Sequence, residues 1–553
     1  MTVLTIDQAL TKAESHKSRG ELEDAQRLLE AVLQAFPKHV QARKDLASLK
    51  VLSEQGDLCV PPKHVTDRLL NVYKAGQLSS AVEDAQALVK DYPEAFLIWN
   101  ILGAAAAQLG MLEQARSAFQ KVISLKPDYA DAYNNLGNVL NELGEQEQAI
   151  LSYERAIDIK PDYAEAYNNL GNAFSDQNKL DEAIAANKKA IEIRPDYVEA
   201  HHNLGTALRA SGLLDEALAA FDQALKIKPD YPTALNSRGV TLEKLGRWND
   251  AFVSYKRALE IEPNFAELYN NLGSVLKNLG RLEEAVEMFA KATEINPKFT
   301  FAYRNLGLTL RELGLIEDAK VAFRSALELK PDYVEVEHIL SAISGVTTNN
   351  APAEYVEDLF DFYADRFDKH LFEKLEYNTP QLLADILLDK SFTGSLGNVT
   401  DLGCGTGLFG QEIYAMCEFL EGVDISKAMI NKAKSKNVYD NLIHQEITDY
   451  LSGGRLNFDY FISSDVFIYL GDLAEVFALI KSRNKRSGKL VFSTEHSEKD
   501  GFQLLDSGRF AHSKSYIQGL SDNHGFNMSH FSLTNLRKEK DKFIVGGLYV
   551  LEF

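Results

Sequence analysis

At 553 residues the chain is too long for one ordinary domain, and 45% hydrophobic with 25% charged residues is the balance of a folded, water-compatible protein. A formal charge of −21, shared by both parts of the chain, argues against a nucleic-acid partner, which needs a basic stripe. Cys59, Cys404 and Cys417 have neither disulfide nor metal-ligand spacing. No run approaches the ~18 apolar residues of a membrane span, and the start, Met1 to Asp7, lacks the pattern of a secretory leader. The expectation is a cytoplasmic protein with no metal site.

Gly20, Ala25 and Pro37 stand at offsets that recur throughout the following residues. The phase breaks around Glu54 to Pro62, read as a bend or irregular insert. From Pro93 the spacing is regular: Pro93, Pro127, Pro161, Pro195, Pro229, Pro263, Pro297 and Pro331 are each 34 residues apart. An alanine keeps the same period from Ala81 to Ala319. An interhelix glycine keeps it from Gly76 to Gly314, replaced once by Asn178, which tolerates the left-handed conformation. In one unit Tyr133, Leu136, Gly137 and Leu140 fall on a first helix and Ala149, Tyr153 and Ala156 on a second. Gly137 and Ala149 allow close approach, and Pro161 ends the second helix. One such unit cannot bury its apolar face alone, so the units stack.

This pattern resembles the tetratricopeptide repeat. It implies a degenerate unit with an irregular insert over 6–61, eight units over 62–333 and a capping helix over 334–343. One position of the first helices, which line the concave face in this family, reads Asn135, Asn169, Asn203, Ser237, Asn271 and Asn305. Asparagines at that spacing could grip an extended peptide's backbone, a ladder similar to that of O-linked N-acetylglucosamine transferases; equally, they could be solvated repeat filler. The expected partner is a protein or peptide in the groove.

Residues 344–353 lose helical periodicity and read as a linker. Beyond them apolar runs alternate with helical ones: Val399 to Leu402, Phe419 to Val423, Asn441 to His444, Tyr460 to Ser463 and Leu490 to Ser493. This is the pattern of a parallel sheet with crossover helices. Met528 to Leu536 and Phe543 to Leu551 read as an antiparallel hairpin. The first run feeds Asp401-Leu402-Gly403-Cys404-Gly405-Thr406-Gly407, where backbone amides can approach a ligand closely, and Asp424 ends the second, suited to ribose hydroxyls. Gly405 to Gly410 also fits the dinucleotide fingerprint.

Asp401, placed for an ammonium group, and the closing hairpin resemble class I S-adenosylmethionine-dependent methyltransferases over residues 354–553. The fold class is therefore expected to be an all-α tetratricopeptide-repeat solenoid followed by an α/β Rossmann-like seven-stranded domain with an antiparallel C-terminal hairpin. The resemblance implies S-adenosylmethionine as cofactor, with Asp401, Gly403, Gly405 and Gly407 around its methionyl end. It implies Asp424 on the ribose, Ile425 against the adenine, and Glu446 and Ile447 at the adenine edge, with Asp449 the competing acid. The run Leu359 to Asp368 resembles the family's aromatic lead-in helix, followed by Tyr377. Tyr363 is expected over the cofactor and Phe360 in packing. Cys404 reads as a small filler.

An acceptor that needs a base has candidates at strand ends: Asp465, Tyr469, Glu495, His496, Arg509, His512 and Ser513. His512 has the suitable titration range, and a helix-start role with Ser513 as cap competes with it. Ser463-Ser464-Asp465-Val466-Phe467 is not the motif that grips a base's amino nitrogen, so a small-molecule acceptor is favoured over DNA. The alternatives to a methyltransferase with a recruiting solenoid are a scaffold with an inactive cofactor-binding domain and, behind it, an NAD-dependent oxidoreductase.

Overall fold

The computed structural model describes residues 5–18, 22–56, 61–364, 367–368, 375–388, 394–454, 456–539 and 542–553. Gly20, Cys59 and the centre of the expected insert lie outside the described residues. The chain divides into two compact units, residues 1–263 and 264–553.

In the first unit helical hairpins follow one another, from Lys63–Lys74 with Leu78–Asp91 to Pro232–Lys244 with Trp248–Ile261. Their turn glycines hold φ between +71° and +81°, and Asn178 takes the same region at +57°. A Cβ on Gly137 would lie 2.5 Å from the Tyr153 ring, so the close approach of the two helices requires glycine there. Phe119, Phe221 and Tyr255 cover Gly103, Gly205 and Gly239 in the same way, whereas Asn187 covers Gly171. Ahead of these units, Ile6–Ser18 and Leu22–Ala35 form the extra hairpin. After that hairpin comes a further helix, Val40–Gly56, which runs into the start of the expected insert and whose Ala42 and Leu49 join a core with Ala9, Ala25 and Leu29.

The second unit begins with hairpins Ala266–Asn278 with Leu282–Ile295 and Thr300–Glu312 with Ile316–Leu329, and the capping helix Val334–Ile343. A nine-stranded sheet follows: β1 (Gly397–Leu402), β2 (Cys417–Asp424), β3 (Asn441–His444), β4 (Tyr460–Ser463), β5 (Lys489–His496), β6 (Phe502–Leu504), β7 (Phe510–His512), β8 (Asn527–Glu539) and β9 (Lys542–Glu552). The order β3-β2-β1-β4-β5 is parallel, β9 runs antiparallel to β5, and β8 closes on β9. Those seven strands are the expected set. The added pair, β6 and β7, is a short hairpin in which β7 pairs with the tip of β5 at Glu495 and His496.

Residues 344–353 are tied down, although their composition suggested a contact-poor linker. The Leu504 amide donates to Thr347 Oγ1 at 3.3 Å, the Gly471 amide to Asn350 Oδ1 at 3.1 Å, and the Ala351 amide to the Tyr469 carbonyl at 3.0 Å. Ala342 and Ala351 share a buried cluster with Leu504 and Phe510. The reason is the β6–β7 hairpin, which offers this segment a surface that strand prediction missed.

Candidate active site

The glycine loop leaves β1 in a left-handed path that side chains resist: Gly403, Gly405 and Gly407 have φ of +78°, +53° and +87°. At Gly403 a Cβ would strike Val466 at 2.4 Å, whereas at Gly405 nothing lies within 4 Å. Gly405 thus leaves open space beside the backbone. Its amide donates to Asp424 Oδ2 at 2.8 Å, and the Ser426 amide donates to Oδ1 at 2.8 Å. Gly407 caps the short helix Leu408–Ile413 and lies just outside the cavity wall.

Beside the loop is a cavity of about 590 Å³, lined by Asp401, Gly403, Gly405, Asp424, Ile425, Glu446, Ile447 and Tyr363 among others. Phe360, Phe367, Tyr377 and Tyr469 add aromatic wall, and Asn350, Ala351 and Val356 bring the tied-down segment and its following helix to the rim. Phe360 packs edge-on against Phe367 and Tyr469 at 5.9 and 5.4 Å between centroids, as expected of a packing ring, while its surface still meets the cavity.

Burial sets the electrostatics. It pushes the Asp401 carboxyl up to about 7, against a 2.7 Å hydrogen bond donated by the Tyr439 hydroxyl. Asp424 is pushed up to about 6 by burial, against its two amide donors. Glu446 caps the helix Ile447–Ser452: its Oε2 accepts from the Thr448 amide at 2.6 Å and the Asp449 amide at 3.0 Å. Asp449, the competing acid, is not among the lining residues. Cys404 is buried and its thiol is held well above its ordinary pKa, mainly by burial, which suits a filler.

The expected catalytic candidates separate. Asp465 lines the cavity at φ +60°, and its carboxylate pairs with Arg537. Arg537 also bonds Glu495, which accepts from Arg509 Nε at 2.6 Å; Arg509 reaches on to Glu539 at 2.6 Å. His512 is not part of this wall. It is fully buried in β7, its Nε2 lies 2.9 Å from the Gly471 carbonyl oxygen, and burial pushes its pKa down to about 4. Ser513 caps the following helix through the Tyr516 amide, so the competing reading fits both residues. His496 also stands outside the cavity wall, 3.5 Å from Glu498.

The sequence reading missed Tyr439, Arg537 and Glu539. Arg537 opens the charged run that the sequence places between the two hairpin strands, but β8 extends to Glu539 and leaves Arg537 5% exposed. Among the described residues no cluster of three metal-ligating side chains occurs, and no helix is long and apolar enough to cross a membrane.

The asparagine series stands half-buried and joins successive repeats. Asn169 Nδ2 donates to Asn134 and Asn138 at 3.0 Å each, Asn203 Nδ2 to Asn168 at 2.8 Å, and Asn305 Nδ2 to Asn270 at 2.9 Å. Asn135 and Asn271 occupy the same half-buried position in their repeats.

A TPR repeat model matches five overlapping segments between residues 103 and 280, and tetratricopeptide repeat models match 10–49, 266–299 and 302–333. A methyltransferase domain model matches residues 394–541. Over 115 residues the chain is 30% identical to malonyl-[acyl-carrier protein] O-methyltransferase 1 of Ilyobacter polytropus, a match covering 20% of this chain and 42% of that protein. The chain thus spans less than half of that relative. Among solved structures it is similar to YrrB, a TPR protein described as having an unusual peptide-binding site, at 28% identity and TM-score 0.30 over 34% of this chain and 96% of that one. It is also similar to MamA, at 29% identity and TM-score 0.28 over 29% and 93%.

Proposed function

We propose that this chain, tetratricopeptide repeats joined to a methyltransferase domain, is an S-adenosylmethionine-dependent methyltransferase whose solenoid recruits a protein partner or presents the substrate. The observation that carries the reading is the convergence of Asp401, Gly405, Asp424, Glu446 and Tyr363 on one cavity. When bound, that cofactor supplies an activated methyl group on a cationic sulfur. Asp401 would face its ammonium end, and the side-chain-free space at Gly405 admits it to the backbone. Each Asp424 oxygen accepts one amide and retains a lone pair for a ribose hydroxyl. With Glu446 Oε2 committed to its helix, Oε1 is the atom left for the adenine edge.

Tyr363, Phe360 and Tyr469 line the cavity, and aromatic rings there would favour a cationic sulfur. Alignment of donor and acceptor supplies most of the rate. Asp465, fixed by Arg537, is the strand-end carboxylate on the cavity wall and would orient an acceptor there. A small acceptor suits the cavity volume. The repeats are the kind of surface that binds proteins, consistent with recruitment.

Calorimetric titration of the full chain with S-adenosylhomocysteine, and separately with NAD, tests this. S-adenosylhomocysteine should bind, and Asp424→Ala should weaken it at least tenfold, since a charge-assisted hydrogen bond contributes about 1.5–3 kcal/mol. Binding of NAD in its place would overturn the reading.

A further inference from the structure

The first helices of the last two repeats carry Lys277, Arg304 and Arg311. Arg304 is fully committed: Nε and Nη2 make paired hydrogen bonds to the two Glu335 oxygens, the first at 2.6 Å. Lys277 Nζ lies 3.6 Å from Glu312. Arg311 differs from both. Among the described residues no carboxylate pairs with it, and its hydrogen bond, a long one at 3.4 Å, goes to the Asp506 carbonyl oxygen. A guanidinium has five N–H donors, so most of its capacity is unspent.

The surroundings raise the cost of that arrangement. Arg311 is half-buried, and burial pushes its pKa down against the opposing pull of Tyr355, Glu312 and Glu335, with Arg509 adding to the burial effect. Burial does the same to Lys277, helped by Arg304 and Arg311. An under-compensated cation away from water is expensive unless an anion comes to it. Most of the described arginines pair with a carboxylate, as Arg116, Arg194, Arg238, Arg257 and Arg304 do; Arg311 is one of the few, with Arg209, that do not.

Its location gives the exception a use. Asp506 belongs to the turn between β6 and β7, closed by Leu505 N to Arg509 O and Gly508 N to Leu505 O, each 2.8 Å. The same turn sends the Arg509 side chain into the cavity wall. Arg509 and Arg537 are already occupied by Glu495, Glu539 and Asp465, so they are poor receivers for a ligand's charge. We propose that Arg311, with Lys277 beside it, forms a subsite for an oxyanion, a carboxylate or a phosphate, carried by the methyl acceptor while its reacting end enters the cavity past Arg509. The role of acceptor rests on the methyltransferase reading; the anion site itself does not.

The full chain is titrated with inorganic phosphate and, separately, with succinate, as wild type, Arg311→Gln, Arg311→Lys and Arg155→Gln. Arg155, whose partner is Asp158 at 3.6 Å, controls for the loss of one positive charge elsewhere. Wild type and Arg155→Gln should bind one of the anions equally, Arg311→Gln at least tenfold more weakly, and Arg311→Lys between them. The anion that binds distinguishes phosphate from carboxylate. Equal binding by Arg311→Gln, or no binding of either anion by wild type, overturns the subsite. Arg311→Gln should keep its affinity for S-adenosylhomocysteine, which reports an intact fold. If wild type fails to bind S-adenosylhomocysteine, the methyltransferase reading falls, and the anion titrations still decide the subsite.

Discussion

The Tyr439 hydroxyl donates to Asp401 at 2.7 Å, while the same ring occupies the space that any side chain at Gly410 would need, its hydroxyl and Cζ 2.5 Å from a Cβ placed there. One residue thus fixes the loop's packing and the orientation of its acid.

On the proposed cofactor reading, this pair should make ligand binding depend on pH. Asp401 and Asp424 carry pKa values raised to about 7 and about 6 by burial, above the ordinary carboxylate value. The folded, unliganded protein therefore holds protons that the unfolded chain has released, and its stability falls as pH rises from about 4 to about 7. A ligand with an ammonium group prefers the ionised acids. The thermal shift produced by S-adenosylhomocysteine should grow between pH 5 and pH 8. Tyr439→Phe removes a bond that lowers the Asp401 pKa, so the rise should move to higher pH. A shift independent of pH would separate these acids from the ligand.

His338 Nε2 lies 2.9 Å from the Gly508 carbonyl oxygen, and its ring centroid is 5.1 Å from that of Tyr355. The capping helix is thereby part of the α/β domain's support. A fragment of residues 264–553 should melt higher than one of 354–553, which loses His338, Thr347, Asn350 and Ala351 together. Limited proteolysis should also spare 344–353. Equal melting temperatures, or a first cut in that segment, would mean that these contacts contribute nothing in solution.

The period of prolines and glycines made the solenoid legible, because each repeat solves the same packing problem with the same residues. The glycine loop and the acid after it were legible as cavity-lining residues for a similar reason: a left-handed loop after a strand admits few residues besides glycine, and the acid at the end of β2 has a fixed place in the topology. What escaped were contacts between distant segments. Nothing local in Phe502 to His512 announces a hairpin that receives the linker, and Tyr439 reads as a helix-end aromatic until the fold brings it to Asp401. His512 misled because its suitability was judged by type, whereas burial decides its state.

The asparagine series is a second case in which context changes the expectation. Solvated groove residues could be replaced by alanine at no cost in stability. Asn169 and Asn203 instead donate to Asn134 and Asn168, each 5% exposed. Alanine at 169 and 203 should strand those buried oxygens at about 1–3 kcal/mol each, while helix propensity returns only about 0.5 kcal/mol per site. The double variant should melt several degrees lower. An unchanged or raised melting temperature would return these residues to the status of solvated filler and leave the peptide-ladder reading open.

Asn187 offers the converse test. It is fully buried where Tyr153 and Phe221 stand in the neighbouring repeats; its Nδ2 donates to the Ala183 carbonyl at 2.9 Å and its Oδ1 has no partner. Gly171 opposite it is glycine as in the aromatic repeats, and the Asn187 amide packs on it, its Nδ2 2.4 Å from a Cβ placed there. Asn187→Phe should remove an unsatisfied buried oxygen, worth about 1–3 kcal/mol, and add apolar burial of about 1.5–3 kcal/mol. Overpacking would oppose this by about 1–3 kcal/mol. The balance predicts a stabilised repeat, read as slower amide hydrogen exchange across residues 164–193, because a solenoid's stability is local to a repeat and its neighbours. Faster exchange there would mean that the helices have closed around the smaller amide, and that asparagine at this position is matched to its site.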